Sequence, residues 1–187
     1  METFVNPIEY GIKADKIYYY RQDIREKLNI SIDELENIGI RDGLILVSLR
    51  IIEPLLKAQA IIRKSNMDIV IKDGYRSPDL YKLAYDKRVI IEGLEKTNLL
   101  LNMDKMPHSS GLVVDLGLIN LETNEPVSFY SFKDDGTDSW FVDFYRDKQD
   151  PQSVEFQRIQ DIMINAMLAS GFKLGQKKEI WHFELDC

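Results

Sequence analysis

The sequence predicts a single α+β domain, with a mostly antiparallel central sheet flanked by helices. Three observations carry this. Helically spaced apolar residues recur over 44–64 and again from Ser153, and short β-branched runs occupy 68–73 and 112–118. No repeat, low-complexity tract or proline/glycine-rich linker interrupts the chain. At 187 residues and 44% hydrophobic, it is long enough for one buried core and too short for two comfortable ones. We therefore read 1–187 as one domain, an N-terminal region over 1–43 leading into a core over 44–185.

The elements follow in order. Residues 1–43 mix apolar groups, including Ile17 and the cluster Tyr18 to Tyr20, with an amphipathic stretch from Asp23 to Leu28, and receive no assignment. Three adjacent tyrosines more often reflect packing than a pocket wall. From Leu44 to Lys64, the spacing of Leu49, Ile52, Leu55, Leu56, Gln59 and Ile62 predicts a long core helix that Pro54 should dent or begin. Asp68 to Asp73 reads as a strand and Gly74-Tyr75-Arg76 as the turn after it. Ser77, Pro78 and Asp79 suit the N-cap, first position and first turn of a helix running to about Glu95. Leu112 to Leu118 and Val127 to Phe132 read as a hairpin around a polar turn at Asn120 to Glu125. Residues 133–150 read as a long loop, and such loops are more often functional than idle. A helix starts at Ser153 and stops at Gly171, and a short strand covers Glu179 to Leu185.

Charge and composition exclude several classes of partner. With 31 acidic against 24 basic residues, and a formal charge of -7, the chain lacks the electrostatic footprint of a nucleic-acid binder. No segment approaches the apolar length of a membrane span, and the N-terminus lacks the pattern of a secretory signal. The expected location is cytoplasmic, or the periplasm or cell envelope if a signal has been removed. The single cysteine, Cys187, allows no internal disulfide, so the fold must rest on packing, helped by a metal if one binds.

The two histidines stand out. His108 opens His108-Ser-Ser-Gly111-Leu-Val-Val-Asp115, and His182 closes Glu179-Ile-Trp-His182. Two imidazoles and a carboxylate are a common catalytic zinc set, since three protein ligands leave a fourth position open. Asp115 lies among Val113, Val114 and Leu116, where a lone carboxylate is costly unless a metal or cation joins it. Alone, it would read as a strand-edge residue reaching a backbone N–H. His182, between Trp181 and Phe183, would alone read as a core histidine satisfied by a hydrogen bond. As the only two histidines, each beside a carboxylate, they favour one metal ion per chain held by His108, Asp115 and His182.

Glu179 is then free to move protons. Positions three apart on an ideal strand face opposite ways, so Glu179 must precede the strand or sit at a bulge to share a site with His182. Gln176, Lys177 and Lys178 suit a loop just before it. With Glu179 passing a proton from water to a leaving amine, and Arg76 set against the developing oxyanion, the natural outcome is hydrolysis of an amide. On spacing alone, Arg76 reads equally well as a local surface pair.

At these residues the sequence resembles a known family. Asp73-Gly-Tyr-Arg76, the His108 to Asp115 segment, Gly171-Phe172 and Glu179-Ile-Trp-His-Phe183 look like the successive motifs of the zinc D-alanyl-D-alanine peptidases. They are most similar to the D-Ala-D-Ala dipeptidases of vancomycin resistance. The likeness runs in order over about residues 44 to 185. It implies Zn2+ held by His108, Asp115 and His182, Glu179 as general acid/base, Arg76 as transition-state stabiliser, and a small peptide substrate. It also implies Asp143 as the aspartate that binds the substrate's ammonium end. The chain departs from the family at Met106 (usually serine), Val113 (usually alanine) and Asp138-Ser-Trp140 (usually Met-Gly-Thr). Because those positions help hold the ammonium end, the departures bear on dipeptide specificity.

Three functions compete. The leading one is zinc-dependent hydrolysis of D-Ala-D-Ala or a similar dipeptide. The second keeps the chemistry but takes peptidoglycan stem peptides, as a carboxypeptidase or endopeptidase. A small blind pocket would select dipeptides, and an open groove would accept chains. The third is a non-catalytic metal-binding or peptide-recognition domain, against which both Glu179 and Arg76 argue.

Overall fold

The computed structural model of the chain describes residues 2–175 and 178–185. Cys187, and Gln176 and Lys177 where the sequence suits a loop, lie outside the described residues. The N-terminal region holds β1 (Phe4–Val5), β2 (Lys13–Ala14), α1 (Gln22–Leu28) and α2 (Ile32–Asn37). In α2, the Ser31 side chain caps the Glu34 amide while the Glu34 carboxylate takes the Ser31 amide, so the helix start satisfies its own donors. Ile12, Ile17, Tyr19, Ile24, Leu28 and Leu35 from this region join the same hydrophobic core as the later elements.

Next come β3 (Val47–Ser48), α3 (Ile52–Ile62) and β4 (Met67–Asp73). The helix expected from Leu44 begins only at Ile52. Before that, Val47 and Ser48 pair with β1, and the Ser48 amide donates to the Gly111 carbonyl at 2.9 Å. The later start puts Pro54 in the first turn, where its missing N–H would have had no helical acceptor anyway. Ile52, Leu55, Ala58, Gln59 and Ile62 form the buried face of α3, which packs on the long helix described below.

The Ser77 cap and Pro78 open α4 (Pro78–Glu92) as expected, but Gly93 adopts φ +84 and breaks the helix before α5 (Leu94–Leu100). β5 (Val113–Asn120) then returns, with β6 (Pro126–Val127) as a two-residue partner. The rest of the expected return strand is diverted. Gln160 donates to the Phe129 carbonyl at 2.7 Å, and the Ser131 amide donates to the Tyr145 hydroxyl at 2.9 Å, so side chains use the groups a ladder needs. The expected long loop contains α6 (Phe132–Asp135) and a 3-10 turn at Gly136–Trp140. It leads to α7 (Pro151–Ala169), capped by Asp150, and finally to β7 (Phe172–Leu174) and β8 (His182–Leu185).

The α+β class is as expected. The main sheet runs in the order β2-β4-β5-β8-β7, with β6 beside the far end of β5. All its pairs are antiparallel except β2 with β4, so the sheet is mixed but mostly antiparallel. At the end of β4 the register with β5 slips between Ile71 and Asp73, and beyond the slip Asp73 stands opposite Asp115. Asp115 in turn stands opposite His182 of β8. Three adjacent strands thus set Asp73, Asp115 and His182 in one row. Directly opposed residues point to the same face with Cβ atoms roughly 5 Å apart.

Candidate metal centre

The row of β4, β5 and β8 supplies two of the three proposed ligands, and a 3-10 turn supplies the third. His108 lies in the turn Pro107–Ser110, between Met106 at φ +39 and Gly111 at φ +70. His182 Nδ1 is 2.9 Å from Asp115 Oδ1, and His108 Nε2 is 3.6 Å from the same oxygen. One donor atom from each of His108, Asp115 and His182 lies within 4.8 Å of the others. Two imidazole nitrogens and one carboxylate oxygen at that separation suit a shared divalent ion and leave room for a further ligand.

The opposite ring nitrogens are also engaged. His108 Nδ1 is 2.8 Å from the Gly74 carbonyl, which aims Nε2 at Asp115. His182 Nε2 faces Glu184 Oε1 at 3.4 Å. Such outer contacts fix the tautomer and orientation of a ligating histidine.

The Asp-Gly-Tyr-Arg turn and the His108 turn are laced together. The His108 amide donates to the Tyr81 hydroxyl at 3.1 Å, the Arg76 amide to the His108 carbonyl at 3.2 Å, and Ser109 Oγ to the Arg76 carbonyl at 3.0 Å. The glycine is required by close packing. A Cβ built on Gly74 would stand 2.5 Å from the Leu46 carbonyl oxygen and 2.8 Å from Ile45 Cγ2. Gly74→Ala is therefore expected to destabilise the fold by about 1–3 kcal/mol through overpacking. By shifting the carbonyl that holds His108, it should also weaken metal binding roughly 10–100-fold. Chemical denaturation and a metal titration on the same variant check both, and an unchanged metal affinity would show that the Gly74 contact does not position His108.

Arg76 is no surface residue. Its Nε and Nη2 donate to Asp73 Oδ2 at 2.9 and 2.6 Å, and Nη2 lies 3.8 Å from Asp115 Oδ2. Its guanidinium also stands over the rings of Tyr19 and Tyr81, at 5.6 and 5.5 Å. Burial opposes its charge, but Asp73, Tyr19, Tyr81 and Asp115 outweigh that and hold its pKa well above the ordinary arginine value. It is a fixed cation beside the proposed ligands.

The same balance sets the ligands' protonation. Burial, reinforced by Arg76, pushes His108 down to about 3, so it is neutral and able to ligate at physiological pH. Burial opposes the charge of Asp115 too, yet His108, His182 and Arg76 win and hold its carboxyl at about 2. For His182, burial is overcome by the hydrogen bond and charge of Asp115, which lift it above the usual histidine value of 6.5.

The strand expected from Glu179 starts only at His182, so Glu179 precedes β8, one of the two arrangements its spacing allows. It is held by an isolated bridge to Phe141, and the Ile180 amide donates to the Trp140 carbonyl at 2.9 Å. The half-buried Glu179 side chain, Arg76 and the three proposed ligands line one open cavity of about 1250 Å³. This exceeds the roughly 300–1000 Å³ usual for small-molecule pockets. Tyr130, Trp140 and Trp181 form an aromatic wall in it, with neighbouring ring centroids 5.3 and 5.6 Å apart.

Asp143 does not join these residues. It sits in a turn at φ +73, its carboxylate 2.5 Å from Arg146 Nε, and Arg146 is tied in turn to Asp161 of α7. That pairing holds Asp143 on the surface, outside the residues that line the cavity. Conversely, sequence reading gave no role to Asp73, Tyr81 or Glu184. Asp73 was detectable as the first residue of the Asp-Gly-Tyr-Arg turn, whereas nothing local marks Tyr81 or Glu184. Tyr18 and Tyr19, which read as packing residues, line the cavity as well.

The sequence matches no protein-family model and no curated protein. Among solved structures, the chain is similar to a mutant of the vancomycin-resistance D,D-pentapeptidase VanY from a VanB-type resistance cassette, in complex with Zn(II). The identity is 12% and the TM-score 0.42, with 77% of this chain and 75% of that chain covered. The chemistry of this centre must accordingly be read from its own residues.

Proposed function

We propose that this chain is a zinc-dependent peptidase that cleaves peptides ending in D-alanine, and that it acts on chains longer than a dipeptide. The observation that carries the reading is the convergence of His108, Asp115, His182, Glu179 and Arg76 on one cavity, although they come from distant parts of the sequence. The D-alanine preference comes from the motif resemblance. The length preference comes from the size of the cavity and from the placement of Asp143 outside it.

His108, Asp115 and His182 would hold the ion through Nε2, a carboxylate oxygen and Nδ1. When bound, zinc supplies Lewis acidity towards a carbonyl and makes water easier to deprotonate. Glu179 takes the proton from the attacking water and returns it to the leaving nitrogen. Arg76, held by Asp73, offers a preorganised positive charge to the oxyanion, and such a contact is typically worth about 2.7–4 kcal/mol. Because Asp73 fixes Arg76 in advance, little reorganisation accompanies the reaction.

The test is to assay zinc-loaded protein against D-Ala-D-Ala, L-Ala-L-Ala and a stem pentapeptide, with products read by mass spectrometry. Loss of the terminal D-alanine from the pentapeptide, at higher kcat/KM than for free D-Ala-D-Ala, is the expected result. Faster cleavage of the free dipeptide would restore the dipeptidase reading. No cleavage of any of the three would overturn the proposal.

A further inference from the structure

We propose that the cavity contains a second subsite, built on Arg88 and separate from the metal centre, that binds a carboxylate of the peptide substrate. The proposal rests on the peptidase reading for what enters the cavity. Its first support is an inversion of charge. The whole chain carries -7, yet among the described residues the cationic side chains lining the cavity are Arg21, Lys72, Arg76, Arg88, Lys105 and Lys173, against only Asp73, Asp115, Glu179 and Glu184. All four carboxylates belong to the strand ends around the metal centre or to the segment just before β8. Tyr18, Arg21, Arg88, Asn102 and Lys105, which line the cavity from other elements, include no carboxylate, although Asp23 pairs with Arg21 and Glu92 with Arg88.

The second support is Arg88 itself. It is 6% exposed, although it lines a cavity. Its Nη1 donates to Glu92 Oε2 at 2.6 Å, but Glu92 is shared with Lys27 at 2.8 Å, so one carboxylate serves two cations. The buried Nε of Arg88 has no hydrogen-bond partner among the described residues. Burying an unused donor of a charged group is costly, and a bound carboxylate would remove that cost by accepting from the guanidinium fork. Glu92 and a hydrogen bond with the Tyr19 side chain engage the rest of the guanidinium but leave Nε unused, and a lysine would brace α4 against α1 as well.

The third support is position. The Arg88 guanidinium lies 6.0 Å from the centroids of both Tyr18 and Tyr19, and Arg21 lies 5.7 Å from Tyr18. Tyr19 also carries Arg76 at 5.6 Å, so the cation of the metal centre and Arg88 neighbour the same ring. Peptide extends at most ~3.3–3.6 Å per residue, so a few residues bridge the two. The carboxylate could be the C-terminus of the peptide or an acidic side chain within it; the chemistry recognised is the same.

The experiment uses three N-acetylated pentapeptides ending in D-Ala-D-Ala: one containing a glutamate, its C-terminal amide, and a version with glutamine in place of the glutamate. Binding is measured by calorimetry on the metal-free chain, and kcat and KM on the zinc-loaded chain. For the wild type, removing the recognised charge should weaken binding and raise KM roughly tenfold, with a smaller change in kcat. Arg88→Lys, which keeps the charge for Glu92 but loses the fork, should erase most of that discrimination. Arg21→Gln, at an exposed position whose guanidinium also pairs with Asp23, should shift it the same way by a smaller factor. Loss of affinity on amidation identifies the C-terminus as the source, and loss with glutamine identifies the side chain. Equal binding of all three peptides by the wild type, or full discrimination retained in both variants, overturns the proposal. Failure of the peptidase reading would look different: no peptide would be cleaved, while the calorimetric discrimination would persist.

Discussion

Glu179→Ala is expected to take up zinc as the wild-type chain does and to lose peptide hydrolysis by roughly 10²–10⁴-fold, the usual contribution of a positioned acid/base. The expectation follows from where Glu179 sits. It is outside the trio of donor atoms, on a segment pinned to Phe141 and Trp140, and its side chain lines the same cavity. Removing it should leave His108, Asp115 and His182 in place while taking away the proton carrier. Metal content by elemental analysis separates the two effects, and the rate should fall in kcat more than in KM. A variant that keeps its zinc and cleaves at the wild-type rate would exclude Glu179 as the base. One that loses both would mean that Glu179 helps to build the site.

Removing the metal is expected to abolish hydrolysis and to lower thermal stability together. An ion present at a thousand times its Kd stabilises the fold by about 4 kcal/mol. For a chain of this length, that moves Tm by on the order of 10 °C. The pH dependence of metal uptake has a definite sign. His108, at about 3, and Asp115, at about 2, are already deprotonated at neutral pH, so neither competes with protons for the ion there. His182 is different because its pKa is raised. In the metal-free chain its protonated form is favoured by the fold; that stabilisation is complete below the ordinary 6.5 and disappears as pH rises through the raised value. Metal must displace this proton. Affinity should therefore fall as pH drops through the raised pKa of His182, with one proton released per ion bound. Titrations at several pH values, in buffers of different ionisation enthalpy, count that proton. Affinity independent of pH between 8 and 6 would remove His182 from the ligand set, and activity that survives verified metal removal would overturn the metal-dependent mechanism.

Much of the site was readable from residues alone, because its chemistry needs rare groups. Two histidines in the whole chain, each near a carboxylate, leave few ways to build a metal site. The two-residue period of β structure requires Glu179 to precede its strand or sit at a bulge; the strand expected from Glu179 starts only at His182, so the first of these holds. The Ser77-Pro78 cap set the start of α4 for equally local reasons. Where reading failed, a distant partner had taken over. The helical periodicity before Ile52 lost to pairing between β1 and β3, and the strand expected over 127–132 lost to Gln160 and Tyr145. Asp143, which the resemblance assigns to the ammonium end, pairs with Arg146 three residues on and lies outside the residues that line the cavity.

The amino-acid sequence alone determined which groups are available and some of the local geometry: a scarce set of metal-binding side chains and a proline-started helix. Those features depend on neighbours within a few residues. The tertiary structure alone decided which of them meet. A register slip at the end of β4 and the pairing of β5 with β8 bring Asp73, Asp115 and His182 into one row, and the contact of His108 with Gly74 closes the group. Strand register is set by the packing of the whole sheet, since a shift of one residue would turn every side chain of a strand to the opposite face.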